Sequence, residues 1–265
     1  MIKQLLLLLL LIPTLIFSAP IITPYSSIDY TLSNTTTAPQ DNNYIAFNLS
    51  HLPKWHSYWR NPGESGLRTT ISWTLPKGIT TSEIYWPAPD TFMLGPLINF
   101  GYKENVSLIV KLSTLPSIKK GTYPIKAKIN WLVCKDSCIP ESAEFNINFE
   151  VSASTTQSSD YNLIQTQLKN VTFPELQQNY TEKNNYKVFN LPFDSRLELT
   201  SLYFFPHQLN SVDINRDISY TRKNSHIEIR IPMLKNSQKQ LSGLLRINSS
   251  SYIKLTLKND AEPIY

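Results

Sequence analysis

The sequence predicts an all-β chain, one β-sandwich followed by a second, smaller β-sandwich-like domain. Apolar and polar residues alternate with a period of two over many segments, which turns one face of each segment toward a core. Those segments are short and are separated by Pro, Asn and Gly, as in a sandwich rather than in strand–helix crossover units. A length of 265 residues suits one or two domains.

The first apolar segment is of a different kind. Lys3 precedes a largely apolar run from Leu5 to Phe17, interrupted at Pro13-Thr14 and followed by Ser18, Ala19 and Pro20. A short basic start, an apolar stretch too short to span a bilayer and small residues at its end describe a secretory signal peptide over 1–19, cut between Ser18 and Ala19. Left uncut, it would tether the protein to the membrane. Beyond it, Ile45, Phe47 and Leu49 alternate with polar neighbours. Ile71, Trp73 and Leu75 do the same and stop at Pro76-Lys77-Gly78. Val106 to Leu112 forms the next strand, and Ile125, Ala127, Ile129, Trp131 and Val133 run straight into Cys134. Phe145, Ile147, Phe149 and Val151 complete a first domain over 24–152.

The polar run after Ser152 predicts a linker, and 153–185 is expected to hold that linker with one short helix. Asp160 is its candidate cap, and Tyr161, Leu163, Ile164 and Leu168 form its apolar stripe. Alternation resumes through Val188, Leu197, Leu199, Ile227, Ile229, Ile231, Leu245, Ile247, Ile253, Leu255 and Leu257, which assigns 186–265 to the second β-rich domain.

Composition excludes several functions. The net charge of +5 is mild, and Lys119-Lys120 and Arg222-Lys223 are the only adjacent basic pairs, so no clustered footprint for nucleic acid exists. Glu64 and Asp90 lack a partner carboxylate at useful spacing for glycoside chemistry. No serine-nucleophile elbow or phosphate-binding glycine loop is present.

The chemistry rests on the 2 cysteines, Cys134 and Cys138. A bridge between residues so close closes a very small loop and contributes little to stability, because the entropy removed from the unfolded chain grows with loop length. Neighbouring sulfurs serve thiol–disulfide exchange, in which one thiolate attacks a partner disulfide and the second resolves the mixed disulfide. Lys135 favours a nearby thiolate while Asp136 opposes it, so the sign of the net shift stays open. The spacing is C-x3-C and no βαβ pattern surrounds it, which argues against a thioredoxin fold. Two further readings remain: an inert structural bridge, and a Cu(I) site, since paired thiolates select soft metals. His51, His56, His207 and His226 are all remote in sequence from the pair.

Several stretches together resemble the N-terminal domain of the DsbD family, in its ScsB-like branch. They are Trp55-His56-Ser57-Tyr58-Trp59-Arg60-Asn61-Pro62-Gly63-Glu64-Ser65-Gly66-Leu67, Ile71 to Pro76, Tyr85-Trp86-Pro87-Ala88-Pro89 and Ile98-Asn99-Phe100-Gly101-Tyr102. The most specific is Asn130 to Glu141, which contains both cysteines. The resemblance covers about residues 40–150 and implies an immunoglobulin-like, periplasmic domain that passes reducing equivalents by disulfide exchange through Cys134 and Cys138, with Cys138 meeting the partner.

In full-length relatives the electron donor is a membrane-embedded thiol–disulfide reductase domain, and the acceptors are periplasmic thioredoxin-like or isomerase proteins. The family's associations are cytochrome c biogenesis and copper tolerance, and no cofactor is implied. Residues 1–265 contain neither the membrane bundle nor a thioredoxin-like module. The expectation is that a separate polypeptide supplies them, or that the domain serves another task. An aromatic cap loop shields the sulfurs in the family, and by position Phe100 and Tyr102 are expected to form it, with Gly101 giving the backbone freedom. The partner is then expected to dock at the edge between that loop and the Cys134–Cys138 turn. The segment Arg60-Asn61-Pro62-Gly63 reads as a turn.

Overall fold

The computed structural model describes residues 19–192, 199–224, 226–235 and 240–259. The expected signal peptide lies outside them, except for Ala19, and so does Leu197. The fold is all-β and immunoglobulin-like apart from one helix.

Two sheets form the first sandwich. One has 5 strands in the order Ile21–Ile22, Ser26–Leu32, Asn42–His51, Val106–Thr114 and Ile79–Thr81. The other joins Cys138–Val151, Gly121–Cys134 and Thr70–Thr74. Their inward faces carry the predicted alternating residues: Ile45, Phe47, Leu49, Leu108, Val110, Ile125, Ile129, Phe145, Ile147 and Phe149 are all buried in one cluster. The strands Gly121–Cys134 and Cys138–Val151 form a long hairpin in continuous register from Gly121↔Val151 to Cys134↔Cys138. A third sheet of 3 strands, Ser57–Gly63, Leu97–Tyr102 and Asp90–Leu94, lies across one end and is called here the cover sheet.

The Arg60–Gly63 segment departs from the expected turn. It lies inside the strand Ser57–Gly63, whose register with Leu97–Tyr102 shifts between Tyr58 and Gly63. Proline, which donates no hydrogen bond, fits such an irregularity in a ladder. Gly63 adopts φ 89°, and a Cβ there would stand 2.5 Å from the Ile98 carbonyl oxygen, so glycine is required.

The interval 153–185 holds more than a linker and a helix. Thr156–Gln157 pairs with Asn34–Thr36 of the first domain. The helix spans Tyr161–Val171 and packs Ile164 and Val171 against Ala46 and Ile109, on the outer face of the 5-stranded sheet. Leu163, expected on its apolar stripe, is exposed instead. Asp160 occupies the cap position but makes no side-chain cap bond; Ser158 Oγ accepts the Asp160 N–H at 3.1 Å.

The strand Glu175–Lys183 follows and opens the second domain's sheet of 7 strands. Its first part pairs in parallel with Tyr252–Asn259 and its last residues pair antiparallel with Tyr186–Pro192. One strand thereby joins two halves around a shared core of Phe189, Ile227, Ile229, Leu245 and Leu255. Phe205 and Leu244 from this domain are buried instead with Trp59 and Phe100, so the first core runs on into the second domain.

Candidate functional site

Cys134 ends one strand of the long hairpin and Cys138 begins the next, and the two are joined as a disulfide. They stand directly opposite each other in the register. The main chain of Cys134 turns away from its hairpin partner and exchanges two hydrogen bonds with His56: His56 N–H donates to the Cys134 carbonyl at 3.1 Å, and Cys134 N–H to the His56 carbonyl at 3.0 Å. In an antiparallel ladder, a pair that makes no main-chain bonds brings its side chains closest. The sequence therefore places both sulfurs at a position where a cross-strand bridge closes without rearranging the sheet. A short turn over 135–137 connects them, closed by Lys135 N–H to the Ser137 carbonyl at 3.2 Å.

The two halves of the bridge differ in environment. Cys134 is 0% exposed, packed with Tyr58 and Phe92 and touched by Leu132. Cys138 is exposed. The Tyr58 hydroxyl lies 3.7 Å from Cys138 Sγ and, since a disulfide sulfur carries no hydrogen, it is the donor. The His56 ring lies 4.1 Å from Phe92, tilted by 55°, and Phe92 lies 5.8 Å from Tyr58, so His56 supports from behind the two rings that pack with Cys134. Burial pushes the Tyr58 hydroxyl above its ordinary pKa. His56 is held down to about 4, first by burial and then by the charges of His51 and Lys103, so the ring is neutral near pH 7. Gly66, at φ 87°, makes room for this arrangement: a Cβ there would come within 2.2 Å of the Tyr58 ring.

The aromatic cover differs from the one expected at Phe100 and Tyr102. Tyr58 pairs with Gly101, and Phe92 pairs with Asn99, so Tyr58, Phe92, Asn99 and Gly101 share one face of the cover sheet. Phe100 and Tyr102 have the opposite parity. Phe100 is 0% exposed and packs on Tyr203 and Phe205 of the second domain, with ring centroids 6.1 and 5.3 Å away. Tyr102 is buried in the sandwich core and donates to the Pro87 carbonyl at 2.9 Å. Its hydroxyl pKa is raised well above the ordinary value by burial. Gly101 is needed for close approach rather than for a special φ, because a Cβ would stand 2.0 Å from the Ser57 carbonyl oxygen. The rings packed on Cys134 are accordingly those of Tyr58 and Phe92, not those of Phe100 and Tyr102.

Sequence reasoning passed over Tyr58, Phe92 and His56. The residue that makes room for the Tyr58 ring is Gly66, and the sequence does not reveal that pairing, because the contact is made only in the folded chain. Glu141, inside the cysteine motif, also has a role the sequence did not show. Its buried carboxylate accepts hydrogen bonds from Thr23 Oγ1, Tyr25 N–H, Ser26 Oγ and Trp131 Nε1, tying the first described strands to the hairpin near its tip. Among the described residues, no three His, Cys, Asp or Glu side chains converge as metal ligands. No described helix is long and apolar enough to cross a membrane.

Comparison with known proteins bears on this site. Residues 29–150 match the family described as thiol:disulfide interchange protein DsbD, N-terminal. The crystal structure of the N-terminal periplasmic domain of ScsB from Proteus mirabilis superimposes with a TM-score of 0.65 at 16% identity, covering 91% of this chain and 97% of that one. The yeast GGA1 GAE domain aligns over 48% of this chain and 94% of its own at 14% identity, with a TM-score of only 0.27, too low to inform the site. No curated protein matches the chain. Residues 29–150 belong to the DsbD N-terminal family, and the Cys134–Cys138 bridge within them supports a thiol–disulfide exchange domain.

Proposed function

We propose, from the membership of residues 29–150 in the DsbD N-terminal family, that this protein is an exported redox carrier. In this reading it accepts reducing equivalents from a membrane-embedded thiol–disulfide reductase and passes them to periplasmic thioredoxin-like or isomerase proteins. The observation that carries the reading is the asymmetry of the bridge: Cys138 is exposed and Cys134 is buried under Phe92 and Tyr58.

That asymmetry supports the following order of steps. A donor thiolate attacks Cys138 Sγ, the Cys134–Cys138 bond breaks, and Cys134 leaves as a thiolate carrying the electron pair. The donor's second thiolate then releases Cys138, and the domain has gained two electrons and two protons. In the outward direction the Cys138 thiolate attacks a partner disulfide, and Cys134 resolves the mixed disulfide by attacking Cys138 Sγ. The Tyr58 hydroxyl, already directed at Cys138 Sγ, supports the charge that develops on that sulfur whenever it leaves or attacks.

Single-cysteine variants test this. Cys134→Ser, which keeps the exposed sulfur, is expected to form a mixed disulfide readily with oxidised glutathione, while Cys138→Ser, which keeps the buried one, is expected to do so at least tenfold more slowly. Equal rates would remove the assignment of roles. A reduction potential for the wild-type pair below about −300 mV, the range of structural bridges, would overturn the exchange function itself.

A further inference from the structure

Beside the cystine lies an open hollow of about 570 Å³ whose floor is apolar and whose rim is cationic. Phe92, Met93 and Trp55 form the apolar part, and Met93 is 60% exposed. Lys54, Lys103 and Lys135 form the rim, with Glu104 as the one acidic side chain lining it. Lys135 follows Cys134 directly, and its Nζ is 3.9 Å from the exposed carboxylate of Asp136. Among the described residues, neither Lys54 nor Lys103 is within ion-pairing distance of a carboxylate. His56 also lines the hollow but is neutral near pH 7, so the lining carries three positive charges against one negative.

We propose that the Lys54–Lys103–Lys135 rim selects thiol partners that carry negative charge beside the reactive sulfur. The inference deepens the exchange reading above and rests on it. An apolar floor around a redox pair excludes water from the contact but discriminates little between partners. Charge placed around such a contact raises the encounter rate of the complementary partner and slows the like-charged one, and added salt screens both effects. The incoming thiolate is itself anionic, and a second negative group next to it gains further from the same rim. The reaction it accelerates is the one already described: two thiols are oxidised to their disulfide, and the Cys134–Cys138 bridge is reduced to a dithiol.

Small thiols of opposite charge separate this from general reactivity. The probes are 2-mercaptoethanesulfonate, cysteamine and neutral 2-mercaptoethanol, reacting with the oxidised full chain at low and high salt, with each rate expressed per thiolate. The variant is Lys54→Gln/Lys103→Gln/Lys135→Gln. The control, Lys77→Gln/Lys119→Gln/Lys120→Gln, removes the same charge from exposed lysines at the far end of the sandwich, before Gly121 opens the hairpin. Comparing one thiol between proteins cancels its intrinsic nucleophilicity. The sulfonate-to-cysteamine rate ratio is expected to fall about five- to tenfold in the rim variant at low salt, to fall similarly for the wild type at high salt, and to change less than twofold in the control. A ratio equal in wild type and rim variant would overturn the rim while leaving the exchange reading intact. Failure of neutral 2-mercaptoethanol to open the bridge in any of the proteins would bring down the exchange reading, and the rim with it.

Discussion

The two faces of the cover sheet differ in what they touch, although the same strands build both. On one face, Tyr58 and Phe92 surround Cys134, beside an exposed Cys138. On the other, Trp59 and Phe100 meet Phe205 in a fully buried aromatic junction with the second domain. Successive residues such as Tyr58 and Trp59, or Phe100 and Gly101, therefore belong to different tasks. A thin sheet can hold a reactive centre on one side because its other side is locked to a large, dry core. The sealed face is part of a continuous core, and the open face borders the cystine.

The largest test of that division is Phe100→Ala. It is expected to cost about 3–5 kcal/mol of unfolding free energy, as for a fully buried aromatic, read from the denaturant midpoint. A loss below about 1 kcal/mol would mean that the junction with Tyr203 and Phe205 is not a true core. Asn61 holds the same junction by polar contacts, its Nδ2 donating to the carbonyls of Pro206 at 2.8 Å and Gln208 at 3.2 Å. Asn61→Ala takes this donor from the Pro206 carbonyl, while the Gln208 carbonyl keeps Ser211 Oγ at 2.9 Å, with an expected loss of about 1–3 kcal/mol.

Each face also carries a depressed histidine, His56 beside the cystine at about 4 and His207 at the junction at about 3, in both cases chiefly through burial. Both are neutral when folded near pH 7. In the unfolded chain each takes up a proton below about pH 6.5, so stability is lost as pH falls from there, through about 4 for His56 and about 3 for His207. His207→Gln is expected to flatten the slope of stability against pH between 6.5 and 4 by up to about 1.4 kcal/mol per pH unit, seen in urea melts across that range. An unchanged slope would show that this ring is not held neutral.

On the open face the effects turn kinetic. Phe92→Ala is expected to raise the rate at which dithiothreitol reduces the cystine about tenfold, a difference of about 1.4 kcal/mol in barrier, by removing the ring over Cys134. Phe100→Ala, measured under conditions where it stays folded, is expected to leave that rate within about twofold. The reverse pattern would restore Phe100 as the shield. Smallest is Tyr58→Phe, which keeps the ring and loses only the hydroxyl near Cys138. It is expected to slow exchange through Cys138 about two- to threefold at unchanged stability, in keeping with a weak, partly solvated hydrogen bond to sulfur.

Much of the fold was written in local order. Period-two alternation placed the strands containing Ile45, Val106, Ile125, Phe145, Ile227 and Leu255, because one side chain in two must leave water wherever a sheet covers a core. The same alternation led into Cys134, so a cysteine pair at the end of a strand was legible from the chain alone. The strand Glu175–Lys183 was not: it offers only Leu176 and Tyr180 as apolar residues, and its place comes from parallel pairing with Tyr252–Asn259. The cover of the cystine was equally hidden. Phe92, Tyr58 and Phe100 are all aromatic residues in strands, and nothing local says which of them faces the sulfurs. Parity within a strand follows from sequence, but which face meets which neighbour depends on the registers Tyr58↔Gly101 and Phe92↔Asn99, and on a second domain whose Phe205 occupies the other side. Those are contacts between residues far apart in the chain, so only the assembled tertiary structure could assign Phe92 to the cystine and Phe100 to the domain junction.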